Sequence, residues 1–190
     1  MSAAAPDGAA AARPLPPGLR SLVWVVRALT VLGATTLCLV PLLFWLSPDW
    51  VRSAGPSIAG IGDHPTVIDE RALLLGALAS LPGVLLGLAA LWQLWQLFGE
   101  YGAGRVFGRL SQRHLRGFAW CMLASALLSP LLRAAVGVAL TLGNPPGQRL
   151  LAFSLSWNDY VGILCGAVLL AVAVVMSEAV RLAEENDGFV

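Results

Sequence analysis

The chain has 190 residues, of which 57% are hydrophobic and only 12% charged, with a formal net charge of +1 at pH 7. A soluble domain carries about a quarter charged residues, so water is the wrong solvent for most of this chain. The near-neutral balance excludes direct nucleic-acid binding as a bulk activity, because phosphate recognition needs clustered excess cation.

The first 18 residues are Ala, Pro and Gly with little to bury, and residues 1–20 read as a disordered tail. The rest, 21–190, reads as one membrane domain. Four apolar runs follow, at residues 22–46, 72–98, 118–142 and 160–176. Each is long enough, or nearly so, for the roughly 20 residues that a bilayer core of about 30 Å requires. The first run is too long for the h-region of a signal peptide, about 7–15 residues, and Arg52 sits badly in any cleavage site ending at Ala54. The expected fold is therefore an all-α membrane protein, a bundle of four transmembrane helices.

The connections carry the charge. Residues 47–71 form a Pro- and Gly-containing loop, residues 99–117 a basic connector and residues 143–159 a second loop. In that second loop Leu151, Phe153, Leu155 and Trp157 alternate with small or polar residues, the pattern of a short external β element or of a frayed start to the fourth helix. With both termini on one side, that side holds Arg13, Arg20, Arg105, Arg109, Arg113, Arg116 and Arg181, against Arg52, Arg71 and Arg149 on the other. The positive-inside rule then places the termini and the connector in the cytoplasm of a multi-pass protein of the cell membrane. Trp92 and Trp95 fit the inner aromatic belt, and Trp45 and Trp50 the outer one.

Arg105, Arg109, Arg113 and Arg116 are spaced by four, four and three residues, which on a continuous helix makes one stripe. Such an amphipathic segment is expected to lie in the inner interface as a helix of its own, with its arginines toward lipid phosphates. It serves either as a positive topological anchor or as a docking surface for an acidic partner, the protein's own tail included. That tail, 177–190, supplies the opposite sign. Glu178 and Glu185 can pair with Arg181 at helical spacing, whereas Glu184, Glu185 and Asp187 crowd a helix C-terminus that disfavours negative charge. Asn186 and Gly188 read as the helix stop.

The stretches LFGEYGAGRVF and LSQRHLRGF after the second run, and EAVRLAEENDGFV at the close, resemble the signature regions of a bacterial four-helix membrane family, domain of unknown function 2975. Leu97, Phe98, Tyr101, Gly104 and Phe107 hold the family's spacing, while Leu110-Ser111-Gln112 replaces its Asn-rich connector start. The family has no established activity. The resemblance implies a bacterial inner-membrane protein encoded beside a small helix-turn-helix regulator, hence a membrane partner of a cytosolic transcription regulator.

Ionisable residues at membrane depth are functional candidates by default. Arg27 is close enough to the inner headgroups to snorkel. Arg133 lies about 14 Å from the outer end of the third run, and Asp159 is its expected counter-ion, tying the third and fourth helices together. Gly83 with Gly87, and Gly162 with Gly166, make two GxxxG spacings suited to packing within the chain or to a homodimer. Cys38, Cys121 and Cys165 read as buried inert thiols, since they lie inside apolar runs without CxxC spacing. Asp63, His64, Asp69 and Glu70 lack a recognisable ligand spacing, so no metal or cofactor is assigned. No Ser/His/Asp set, phosphate-cradling glycine loop or paired membrane carboxylates can be assembled, which argues against an enzyme. A non-enzymatic regulatory or interaction protein is the first reading. A small transporter or channel subunit, using Arg133 and helices kinked at Pro82 and Pro130, is the second.

Overall fold

The computed structural model describes residues 17–62, 64–106, 108–145 and 147–187. Most of the segment read as a disordered tail, together with Asp63, Phe107 and the last three residues, lies outside the described residues. Five helices follow in order: α1 (Pro17–Leu46), α2 (Pro48–Ile58), α3 (Glu70–Gly102), α4 (Arg109–Thr141) and α5 (Trp157–Asp187). Helices α1, α3, α4 and α5 are long and apolar enough to cross a membrane, and the protein is a multi-pass membrane protein.

The long helices pack as a row, α1 on α3, α3 on α4 and α4 on α5, so α1 and α5 form the two edges of an array rather than closing a bundle. Of the four, α4 is the most enclosed by protein. Small residues set the spacing. A side chain at Gly166 would meet the Leu123 backbone of α4 at 2.8 Å, and one at Gly87 would meet Leu37 of α1 at 2.6 Å. Gly83 faces Leu132, and Gly162 faces Ala126, both on α4. Both glycine pairs are thus used for close packing inside one chain, where lipid supplies no hydrophobic drive and contact alone holds helices together.

Three sequence expectations need correction. Among the described residues there is no strand, and residues 151–156 are irregular chain leading into α5. The alternating apolar residues Leu151, Phe153 and Leu155 are exposed, with no neighbouring strand to pair with. Among the described residues there is no separate interfacial helix either. The connector breaks after Gly102 and its second half becomes the first turns of α4. The cysteines are not inside the array: Cys38 and Cys165 face outward and Cys121 is half-buried, which is no anomaly where the surrounding solvent is hydrocarbon.

The loop read between the first two runs instead contains α2. Its start is marked by Pro48 at the first turn and Asp49 beside it, where the fixed proline φ and the helix dipole favour them. It ends on Gly60 at φ +72°, with Gly60 N–H donating to Ser57 O at 3.2 Å and Ile61 N–H donating to Pro56 O at 2.9 Å. That is a Schellman ending, and its apolar residue after the glycine, Ile61, is buried. Ile61 joins Phe44, Val51, Ala59, Val136 and Leu140 in a core at the end of the array away from the termini. Asn144, nearly fully buried, ties the two loops there together: it accepts from Val67 N–H at 3.0 Å and donates to Pro65 O at 2.6 Å and Gln148 O at 3.1 Å. Asp69 caps α3 by accepting from Ala72 N–H at 2.8 Å, and His64 donates to Gln148 O at 2.9 Å, so both are engaged in local structure. Among the described residues no group of three His, Cys, Asp or Glu side chains converges.

Candidate functional site

Two charged sites sit at opposite ends of α4. The first lies at the end of the array that carries both termini. There α3 stops in a second Schellman ending, with Gly104 at φ +77°, its N–H donating to Tyr101 O at 3.0 Å and Arg105 N–H donating to Glu100 O at 3.0 Å. The reversal takes Arg105 out of the arginine stripe, and its guanidinium instead forms a bidentate pair with Glu100 at 2.7 and 3.0 Å. That carboxylate holds the Arg105 guanidinium above its already high ordinary pKa. The hydroxyl of buried Ser111 donates to Arg105 O at 2.5 Å and pins the turn to α4.

From Arg109 onward the stripe is helical. Arg109, Gln112, Arg113 and Arg116 share one sector of α4, about 100° wide. Across from them on α5 stand Ser177, Val180 and Arg181, and the seven residues line a cleft of about 440 Å³. Four guanidinium-bearing side chains therefore meet around one opening. The tail acids do not neutralise them all: Glu178 and Glu185 lie 2.5 and 3.5 Å from Arg181 on their own helix. These are exposed pairs, each worth a few tenths of a kcal/mol. Among the described residues neither Arg113 nor Arg116 has a carboxylate partner. The side chain of Glu184 lies outside the described residues.

Gln112 entered the sequence reading only as the last residue of Leu110-Ser111-Gln112. It is 9% exposed, lines the cleft, and its Oε1 has no hydrogen-bond partner among the described residues. That oxygen is itself enclosed by protein, and an unmatched buried acceptor costs about 1–3 kcal/mol. Ser177 Oγ donates to Val174 O at 2.7 Å.

The second site joins α4 to α5 near the other end. Arg133 donates to Asp159 through Nη1 at 2.9 Å and Nη2 at 2.5 Å, to Ser129 Oγ at 2.9 Å and to Ser154 O at 3.1 Å. Asp159, with 1% of its side chain exposed, also accepts from Ser156 N–H and Ser156 Oγ, both at 2.7 Å. In return Asp159 N–H donates to Ser156 Oγ at 3.2 Å. Ser156 and Asp159 thus form a reciprocal capping box that starts α5, and its S-x-x-D spacing before an apolar run was readable in the sequence. The carboxylate has two tasks, starting one helix and holding the next.

Two further contacts join neighbouring helices. The Arg27 guanidinium of α1 stacks 3.8 Å above the Trp95 ring of α3, a cation–π contact. His114 Nδ1–H of α4 donates to Gln93 Oε1 of α3 at 2.7 Å.

The family described as "Protein of unknown function (DUF2975)" matches residues 15–190. No curated protein matches the chain. No solved structure matches it either.

Proposed function

We propose that this chain, which belongs to the DUF2975 family, is a non-enzymatic interaction protein of the bacterial inner membrane that docks a cytosolic regulator of the helix-turn-helix type at its termini-bearing end. The observation that carries the reading is the gathering of Arg109, Arg113, Arg116 and Arg181 at one end of α4 and α5, beside a helix that runs on to Asp187. A cationic opening next to an exposed, charge-patterned helix offers steering and orientation to an acidic protein surface. The seven-to-three arginine asymmetry supports a cytoplasmic location for that end and for both termini. Arg133 is engaged by Asp159, Ser129 and Ser154, which favours a structural role for it over a transport pathway.

The reading is tested by crosslinked affinity capture from the native host with the captured protein identified by mass spectrometry. The wild type is compared with a chain lacking residues 183–190 and with Arg105, Arg109, Arg113 and Arg116 changed to Gln. A helix-turn-helix regulator recovered with the wild type alone supports docking. Equal recovery from all three chains, with no such regulator, overturns it.

A further inference from the structure

α5 lies at one edge of the array and packs on α4 along a line that repeats every seven residues. On that line Asp159 and Ala173 are 2% and 0% exposed, and Gly166 sits against the Leu123 backbone. A helix that keeps contact at a seven-residue interval follows the geometry of a left-handed supercoil, about 3.5 residues per turn. A second line runs on the opposite side of the helix. Val161, Leu164, Val168, Ala171, Val175 and Leu182 follow the a and d positions of a heptad, with Glu178 at the position between the last two. All six lie within about 40° of the direction opposite Gly166, and all are exposed.

Lipid alone does not account for this face. Among the described residues, the exposed large apolar side chains of α1, α3 and α4 include fifteen leucines and three valines, whereas those of α5 include two leucines and five valines. Hydrocarbon accepts leucine as readily as valine, so the solvent does not require the change. Contact with another helix favours it. A helical valine holds one strongly preferred rotamer and loses little freedom when packed, and small residues such as Ala171 let two backbones approach. The line is also too long for lipid tails. Trp157, 78% exposed, occupies the next position of the same repeat, and from there to Leu182 the helix extends about 38 Å, against a hydrocarbon core of about 30 Å.

A second copy of this chain fits the face. A two-fold axis along the membrane normal keeps every residue at its own depth and sets each seam position against its counterpart, so the contact closes. Pairing α5 with the α1 edge of a neighbour would leave the assembly open. The charges agree with the two-fold arrangement. Glu178, held by Arg181, lies about 60° to one side of the seam, and Ala179 about 40° to the other, so each acid meets an alanine of the other copy and not its own counterpart. We infer that the outward face of α5 is the interface of a parallel homodimer. The two GxxxG pairs, already engaged within one chain, are not needed for it. The inference stands on α5 by itself and does not rest on the docking of a regulator.

The test uses the purified full chain in liposomes at high lipid dilution. Cys38→Ala, Cys121→Ala and Cys165→Ala remove its own thiols. Single cysteines are then introduced as Leu164→Cys, Val168→Cys, Ala171→Cys and Val175→Cys on the seam, or as Ala167→Cys and Val174→Cys, exposed positions about 80–100° away from it. Seam counterparts fall within disulfide reach, so oxidation by copper phenanthroline should join the first four at least about fivefold more than the last two. Ala171→Phe overfills the seam without touching α4 and should weaken dimerisation by about tenfold, read by energy transfer between labelled copies across a dilution series. Ala28→Phe, on the outward face of α1, should change nothing. Circular dichroism that matches the wild type shows that each variant is folded. Equal crosslinking at all six positions, or at none, overturns the interface. A dimer that survives Ala171→Phe, or is lost to Ala28→Phe, overturns it as well. No other protein is present in these assays, so failure of the regulator capture leaves the dimer standing, and failure of the dimer leaves the capture to be judged separately.

Discussion

Removing the Arg133 side chain should destabilise the protein far more than removing the charges of Arg133 and Asp159 together. The Asp159 carboxylate is 1% exposed and receives two of its four side-chain hydrogen bonds from Arg133. In Arg133→Leu the remaining donors come from Ser156 alone, and an enclosed charge stripped of its partner costs about 3–5 kcal/mol. The arginine side chain is 25% exposed, which places the expected loss near the lower end, about 3 kcal/mol. Asp159→Asn leaves the guanidinium with Ser129 and Ser154, and should cost about 2 kcal/mol. The combined variant carries no charge in the site and keeps a side chain able to serve the capping box, so its loss should be about 1–2 kcal/mol instead of the additive value of about 5. The assay is equilibrium unfolding by SDS in mixed micelles, followed by tryptophan fluorescence and circular dichroism, as a double-mutant cycle. A loss below about 0.5 kcal/mol for Arg133→Leu, or additivity within that margin, would refute the assignment of Arg133 and Asp159 as one structural unit.

Gly166→Leu, whose side chain would run into the Leu123 backbone, should cost at least about 1–3 kcal/mol in the same assay, whereas Gly99→Ala, with open space around it, should stabilise by about 0.5–1 kcal/mol. Gly104→Ala should cost about 1 kcal/mol because the position has φ +77°, and hydrogen exchange should show residues 103–108 opening faster. Asn144→Leu removes two hydrogen bonds between the far loops and one within its own; a loss of about 2–3 kcal/mol is expected, with proteolysis accelerated at residues 64–68.

Hydropathy revealed the four spans because each is a long run whose solvent is hydrocarbon, and no competing structure satisfies the backbone there. It placed the ends poorly for the same reason. Polar turns continue a helix without being apolar, so α3 runs on to Gly102 and α5 to Asp187. The stripe failed at Arg105 because helical spacing was assumed from Arg105 onward, whereas α4 begins only at Arg109, after Gly108 in an extended N-cap conformation. α2 escaped detection because Gly55 and Pro56 look like loop residues, although Val51 and Gly55, four apart, bury one face of a short helix. The Arg133–Asp159 geometry was accessible to charge reasoning, since an enclosed guanidinium needs a partner and few acids were available. Gln112 was not, because an unmatched acceptor is a property of packing and leaves no trace in residue spacing.

The length of α4 fits a bilayer only if each end is taken out of hydrocarbon by a different means. Its 33 residues extend about 50 Å, some 20 Å more than the hydrocarbon core. At one end the excess carries Arg109, Gln112 and Arg113, side chains suited to headgroups. At the other, beyond Arg133, the excess is apolar: Ala134, Val136, Ala139 and Leu140 are buried, with Val136 and Leu140 in the core shared with α2 and the 59–61 turn. Protein replaces lipid there, and α2 and the two loops tied by Asn144 serve as its cover. A one-turn slide of α4 along its axis, about 5.4 Å, would draw Arg133 toward hydrocarbon or pull Arg116 into it. It would also break the core around Leu140. The arginine sites and the far core therefore fix the depth of α4 jointly, and the close glycine contacts of α3 and α5 transmit that register to its neighbours on both sides.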